Sequence, residues 1–372
     1  MPRKLTATRV CFVLATPYRA RVAGGAERWV SEAARALSRR VSVELAYFGP
    51  DEWVEARPLG RRFRAKSPPL PERDRLAPAP RLAVAASRAD IVHVHQFGTA
   101  TAQVTAAAAR VRGRRVFVTD HGSSGVELGR RLRLDRLYHG FLEVSAFAAA
   151  LAPPDRTRIL YGGVDTVRFR PRPRSREPFA IFVGRLLPHK GIDWLIRSLP
   201  PDLPLVVAGR PDDTAFPQYL PLLRELAAGR SVRFELSPDD ETVARLLAEA
   251  TVAVLPSVST DVYGNTRRVP ELFGLAALEA MACATPVICS RAGALPELVD
   301  DGRTGYLVDE RDEGGLRQIL ERLAGDPACA AAVGGAARQE VLRRFTWDAV
   351  AERCLAAYDE LALARGSGAL RA

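Results

Sequence analysis

Phe179-Ala180-Ile181-Phe182-Val183-Gly184-Arg185-Leu186-Leu187-Pro188-His189-Lys190-Gly191 is the stretch on which the reading of this chain turns. Its first five residues are strand formers stopped by a glycine, and helical spacing runs from Gly191 to about residue 199. A strand, a glycine-bounded loop and a helix make up the repeating unit of an α/β domain. The loop is basic. Arg185 and Lys190 stand where both can reach one diphosphate, and Gly191 lets the backbone turn into the helix. A plain basic surface loop is the competing reading.

The same unit recurs in both directions. Toward the C-terminus, apolar runs at 205–208, 252–255 and 287–290 alternate with helical stretches at 240–250, 275–283 and 314–324. Toward the N-terminus, Val10–Leu14 reads as a strand. Glu27–Leu37 follows as a helix with Trp29, Val30, Ala33, Ala34 and Leu37 on one stripe. Val41 to Tyr47, Ile91–His95 and Val116–Thr119 are further strands, and the alanine-rich run 100–109 is a helix. Two such series imply two doubly wound, Rossmann-like domains with parallel sheets covered on both faces and right-handed crossovers. Folds of this kind bind ligands outside the carboxyl ends of their strands, so the two domains are expected to face a central cleft. Residues 58–81, rich in proline and arginine, read as a surface excursion, and 170–176 as a linker. The expected domains are 1–170 and 171–345. Residues 346–372 hold an amphipathic helix with Thr346 as N-cap.

Length and composition agree with this division. At 372 residues the chain suits two domains, and 47% apolar residues are enough for ordinary cores. Cys11, Cys283, Cys289, Cys329 and Cys354 form no C-x-x-C pair, and the histidines lack ligand spacing. Neither a zinc site nor a disulfide framework is expected, and a reducing compartment is. The N-terminus faintly imitates a signal peptide, but Pro17, Arg19 and Arg21 interrupt its short apolar run, so a buried first strand is the better reading. No segment reaches the roughly 18–20 apolar residues of a membrane span. A formal charge of +11 points to anionic partners: nucleotide phosphates or an anionic membrane surface. Arginine standing in for lysine on solvated faces is the bland account of the same charge. Nucleic acid is not expected, because aromatic–basic interleaving and a recognition helix are both missing.

Four patterns carry chemistry. In Pro270-Glu271-Leu272-Phe273-Gly274-Leu275-Ala276-Ala277-Leu278-Glu279, two carboxylates flank a helix start. Measured along a helix axis they would lie roughly 12 Å apart, about the reach from a hexose to a nucleotide ribose. Free N–H groups around Phe273, Gly274, Leu275 and Ala276 would receive the diphosphate between them. The Arg185–Lys190 loop is the second pattern. Third is Gly24-Gly25-Ala26-Glu27, where glycine permits close backbone approach to a phosphate or sugar, although the G-x-G-x-x-G spacing is incomplete. Fourth is Thr119-Asp120-His121-Gly122, which places a histidine at a strand end, suited to bonding a sugar hydroxyl. His93 and His95 share one strand face and read as core or cleft lining.

In order along the chain, these patterns resemble the family-4 retaining glycosyltransferases of GT-B architecture. The resemblance also runs through Asp90-Ile91-Val92-His93-Val94-His95, Gly162-Gly163-Val164-Asp165, Leu255-Pro256-Ser257, Ala284-Thr285-Pro286-Val287-Ile288, Gly293 with Pro296-Glu297, and Asp301-Gly302-Arg303-Thr304-Gly305. It implies that Arg185 and Lys190 hold the donor diphosphate as leaving group. Glu279 would grip the ribose and Glu271 the donor-sugar hydroxyls, with Gly25 near the phosphates and His121 near the transferred sugar. It further implies same-face attack with retention, no metal and no cofactor beyond a UDP- or GDP-linked sugar as co-substrate, and a last helix crossing back to the first domain. Leu272 and Gly162 depart from the family pattern, which usually has glycine and asparagine there, and the loop 257–270 is longer than the common form. The expected activity is transfer of a sugar to a lipid-linked, polysaccharide or natural-product acceptor, in the cytoplasm or at the inner face of the membrane. A nucleotide-sugar hydrolase or epimerase of the same fold is the alternative.

Overall fold

The alternating apolar runs become strands of two separate sheets in the computed structural model, which describes residues 8–17, 24–48, 53–56, 62–66, 80–122, 126–172 and 178–366. The chain divides into two units. Unit 1 is Met1–Gly163 together with Trp347–Ala372, and unit 2 is Val164–Thr346.

The strands of unit 1 are β1 (Arg9–Pro17), β2 (Ser42–Phe48), β3 (Trp53–Ala56), β4 (Arg62–Lys66), β5 (Ile91–His95), β6 (Arg115–Thr119), β7 (Gly140–Glu143) and β8 (Thr157–Ile159). They lie in the order β3-β4-β2-β1-β5-β6-β7-β8. Every neighbouring pair is parallel except the edge pair β3/β4. Val10 to Leu14 are all buried, as a strand covered on both faces requires. The helix Gly25–Leu37 buries the expected stripe, and the helix Ala100–Val111 starts on an N-cap in which Thr99 Oγ1 accepts from the Ala102 amide.

The last helix, Trp347–Gly366, belongs to this unit. Val350, Ala351, Cys354, Ala357, Tyr358 and Leu361 are its buried stripe, at helical spacing. Trp347 meets Trp29 edge to face at 6.3 Å, and Asp348 pairs with Arg39 and Arg40 at 3.2 and 3.0 Å. Gly140 is small because a side chain there would strike the Leu361 side chain.

Unit 2 contains β9 (Ala180–Val183), β10 (Leu205–Gly209), β11 (Val232–Leu236), β12 (Val252–Leu255), β13 (Val287–Ser290) and β14 (Tyr306–Val308), ordered β11-β10-β9-β12-β13-β14 and parallel throughout. Its core joins β9, β10 and β12 to Trp194, Leu195 and Ile196 of the helix Ile192–Ser198 and to Leu316, Leu320 and Leu323 of the helix Glu313–Gly325.

Three sequence expectations change. Residues 62–66 are not an excursion: β4 pairs in register with β2, its Phe63 opposite Val43 and its Ala65 opposite Leu45, while 57–61 and 67–79 lie outside the described residues. The alternating pattern Phe63–Ala65 was hidden among arginines. Unit 2 begins at Val164, ahead of the stretch 170–176 read as a linker, of which 173–177 lie outside the described residues. Val164 donates its amide to Phe345 O at 2.9 Å, so the chain entering unit 2 and the chain leaving it are bonded side by side. The first sheet also ends on an antiparallel pair rather than being wholly parallel.

Candidate active site

In unit 2 the strand order reverses between β9 and β12. The loops leaving these two neighbours run in opposite directions, and in open α/β sheets the carboxyl ends of such a pair are where ligands bind. The loop after β9 carries Arg185, a 3-10 turn Pro188–Lys190, and Gly191 at φ 68°. Glycine is required at 191: a Cβ would lie 1.9 Å from Pro256 O, the oxygen that also accepts from Trp194 Nε1 at 2.8 Å. The loop after β12 is tied to the first by the Val258 amide, which donates to His189 O at 2.8 Å.

The two loops meet in an ion pair. Lys190 Nζ lies 2.6 Å from Glu271 Oε2, with both side chains less than one fifth exposed. Ser257 Oγ donates to the same oxygen at 3.3 Å. Below it, Cys289 at the end of β13 is fully buried, and burial first, then the charge of Glu271, push its thiol up. Glu271 is held through its backbone as well. Its carbonyl accepts from the Ala294 amide at 3.0 Å, and Gly293, at φ 56°, passes so close that a Cβ there would sit 2.1 Å from that oxygen. Arg185 is exposed on the same β9 loop. Buried His189 between them is held neutral, its pKa lowered to about 3 by burial and then by the charges of Lys190, Arg267 and Arg185.

Glu271 and Glu279 do not share a helix. The helix is Leu275–Ala282, opened by Gly274 at φ 107°, so Glu271 stands on irregular backbone before it and the axial spacing of roughly 12 Å does not apply to the pair. The helix begins where the sequence places it, but left-handed Gly274 and the clamp at Gly293 take Glu271 off the axis along which that spacing is counted. Glu279 is 6% exposed on that helix. Phe273 turns its ring into unit 2, 6.3 Å from Phe345, so only its backbone is left to face a ligand. Leu275 and Ala276 are half-buried in the first turn, where amide N–H groups lack helical partners.

The long loop 257–270 is an ordered lobe. Thr260 and Thr266 form an antiparallel bridge, and Asp261 Oδ1 accepts from the amides of Tyr263 and Asn265 at 2.9 and 3.0 Å. Glu310 fixes its base through the Ser259 amide and hydroxyl at 2.6 and 2.8 Å. Arg267, whose amide donates to Ser259 O at 2.7 Å, is thereby carried to the same end of the sheet as Lys190. Arg267, Ser257 and Gly293 are the residues to which sequence reading assigned no role. Ser257 and Gly293 stand in motifs that carry the family resemblance, but their partner, Glu271, lies 14 and 22 residues away in sequence.

Unit 1 has its own cluster at the carboxyl ends of β5 and β6. His93 and His95 are buried, and His121 is half-buried after β6. His121 Nε2 lies 3.2 Å from His95 Nδ1, its ring stacks on His95 at 5.4 Å, and Trp29 covers both. Burial lowers His121 to about 3, and burial, with the neighbouring rings, lowers His93 to about 3 and His95 well below its ordinary value. All three are neutral imidazoles. Among the described residues no group of three or more His, Cys, Asp or Glu side chains is placed to hold a metal ion. Gly25 opens the helix Gly25–Leu37 and is exposed, and the residues just before Gly24 lie outside the described ones. No helix among the described residues is long and apolar enough to cross a membrane.

Residues 23–168 match the family described as Glycosyltransferase Family 4, and residues 164–340 that described as Glycosyl transferases group 1. Alpha-maltose-1-phosphate synthase of Mycolicibacterium smegmatis is 34% identical over 232 residues, covering 55% of this chain and 57% of that protein. From the same organism, GDP-mannose-dependent alpha-(1-6)-phosphatidylinositol monomannoside mannosyltransferase is 34% identical over 229 residues, covering 55% and 56%. The match thus spans little more than half the length of these relatives. Among solved structures, sucrose-phosphate synthase from Thermosynechococcus elongatus superposes with a TM-score of 0.73 at 23% identity, over 96% of this chain and 100% of that one. Anabaena HepE, in complex with UDP and glucose, gives 0.74 at 19% identity, over 95% and 100%. At these identities the likeness speaks for the fold alone, a two-domain α/β fold of GT-B type. Matched in order by both family descriptions from residue 23 to residue 340, the chain belongs to the family-4 glycosyltransferases.

Proposed function

We propose that the protein is a retaining glycosyltransferase that takes a sugar from a UDP- or GDP-linked donor without a metal. The observation that carries this reading is the Lys190–Glu271 pair, held at the switch point of a doubly wound domain by two loops that meet there. A nucleotide-diphosphate donor brings two negative charges and leaves with a third. Arg185, Lys190 and Arg267 supply three cations at one sheet end, and the amides of Leu275 and Ala276 add the positive end of a helix. Glu271 sets the Lys190 ammonium in place and offers its carboxylate to donor-sugar hydroxyls, while Glu279 takes the ribose.

In the reaction the bond from the anomeric carbon to the leaving phosphate oxygen breaks. The acceptor hydroxyl attacks from the same face, and its proton passes to that phosphate oxygen. The acceptor is proposed to be lipid-linked, a polysaccharide or a natural product. Relatives named for maltose 1-phosphate, inositol 3-phosphate and phosphatidylinositol mannoside keep phosphorylated acceptors in the same group. The charge of +11 supports peripheral docking on an anionic membrane, which sedimentation with anionic and neutral liposomes tests.

The deciding experiment is thermal unfolding in the presence of UDP, GDP and their sugar conjugates. A donor at about 100 times its Kd adds about 2.7 kcal/mol of apparent stability. Stabilisation by one nucleotide series, with nucleoside-diphosphate release that depends on an added acceptor, is the expected result. Release independent of acceptor selects the hydrolase or epimerase reading, and no stabilisation by any nucleotide ends the proposal.

A further inference from the structure

The imidazoles of His93, His95 and His121 can be assigned proton by proton. The Thr119 hydroxyl donates to Leu142 O at 2.5 Å, so its oxygen accepts from His93 Nε2 at 2.8 Å. His93 Nδ1, 2.8 Å from the Tyr358 hydroxyl, is then an acceptor. His93 is fixed as the Nε2–H form.

The next pair is His95 and His121. One of the two facing nitrogens, His95 Nδ1 and His121 Nε2, must carry the proton of their 3.2 Å contact. His95 Nε2 is buried with no hydrogen-bond partner. If His121 donated, His95 would carry its own proton on that nitrogen and bury an N–H with nothing to receive it. If His95 donates, the unpaired atom is only an acceptor lone pair. Buried N–H groups without partners are rarer than under-satisfied acceptors, because a polar hydrogen stripped of water loses more. Packing holds the two rings in this register. Phe12 lies 5.0 Å from the His95 ring, and Trp29, tied by its Nε1–H to Tyr161 O at 2.9 Å, covers His95 and His121 at 5.7 and 5.4 Å.

We infer that His95 is a positioning residue: by donating Nδ1–H to His121 Nε2 it fixes His121 as the neutral Nδ1–H tautomer. His121 then meets a ligand only as a hydrogen-bond donor, suited to a hydroxyl or phosphoryl oxygen of a substrate. Its basic nitrogen is occupied, so it takes no proton from an attacking hydroxyl. This use of the tautomer rests on the glycosyltransferase reading, whereas the tautomer itself does not.

The test is nitrogen–proton correlation NMR of the full chain labelled with nitrogen-15 histidine. The expected spectrum shows His121 protonated at Nδ1 and bare at Nε2, with His95 protonated at Nδ1. His95→Asn keeps an amide donor and is expected to preserve the His121 tautomer and most of the turnover. His95→Phe is expected to mix the tautomers and lower kcat about tenfold, the worth of one hydrogen bond. A wild-type His121 protonated at Nε2, or a His121 tautomer unchanged in His95→Phe, overturns the inference. Should His95→Phe fail to fold, the wild-type spectrum decides by itself. The Nδ1–H form in a protein that turns over no nucleotide sugar sinks the proposed function and leaves the tautomer standing.

Discussion

Lys190 Nζ and Glu271 Oε2 stand 2.6 Å apart across 81 residues of chain. One comes from the loop after β9 and the other from the end of the long loop after β12, and the parallel β9/β12 pairing brings the two together. Lys190→Ala and Arg185→Ala are expected to lower kcat by roughly 10²–10³-fold, the usual loss when one stabiliser of developing charge is removed. Circular dichroism and Tm should stay close to those of the parent. Lys190 and Glu271 act as one unit, so the double variant Lys190→Ala/Glu271→Gln should lose much less than the product of the single losses. Steady-state kinetics on the four proteins measures this. Near-parental turnover in Lys190→Ala would remove the assignment.

Gly293 is where the backbone of Glu271 is clamped. With φ at 56° and a Cβ position 2.1 Å from the Glu271 carbonyl, Gly293→Ala has to push the carboxylate off its place. A loss of about 1–3 kcal/mol in stability is expected from the crowding and strain. The loss in kcat/KM should be larger than that of a control variant equally destabilised elsewhere. Urea unfolding and kinetics on the same preparations separate the two, and equal losses would mean that the clamp serves folding alone.

Tyr358 ties the last helix to the sheet of unit 1 through His93. Tyr358→Phe keeps the ring and removes the hydroxyl, leaving His93 Nδ1 buried with no donor at 2.8 Å. The expected cost is about 1–3 kcal/mol. A urea midpoint unchanged from the parent would show that the hydrogen bond contributes nothing net.

The neutral histidines set an acid limit. Folded His93 takes up a proton only near pH 3, whereas in the unfolded chain it does so near 6.5. Below pH 6.5 the unfolded state therefore binds the extra proton. The contribution is complete above pH 6.5 and falls steadily as pH drops toward 3, with a limiting slope of roughly 1.4 kcal/mol per pH unit for each such histidine. His95 and His121 act in the same direction. Urea midpoints at about pH 7.5, 6 and 5 follow the loss, and His93→Gln should lose less than the parent over that interval. An identical acid dependence in the two proteins would place the effect elsewhere.

Much of the secondary structure could be read along the chain because each element carries its own periodicity. Ile91–His95, Val252–Leu255 and Val287–Ser290 fall where their apolar runs begin and end, and helix Asp240–Glu249 falls within the stretch 240–250 read as helical. Strand β4 escaped because its Phe63 and Ala65 alternate with arginines, and the register that sets them opposite Val43 and Leu45 belongs to β2. The sequence by itself determined local geometry: which runs extend, which coil, and that the chain turns at Gly191 into the next helix. Only the tertiary structure decided that Gly274 turns left-handed and takes Glu271 off the axis of the Glu279 helix, that Gly293 and Ser257 hold it against Lys190, and which nitrogens of the histidine row face each other. Those are contacts between atoms far apart in sequence, and nothing in local conformational preference encodes which partner a buried charge or an imidazole nitrogen will meet.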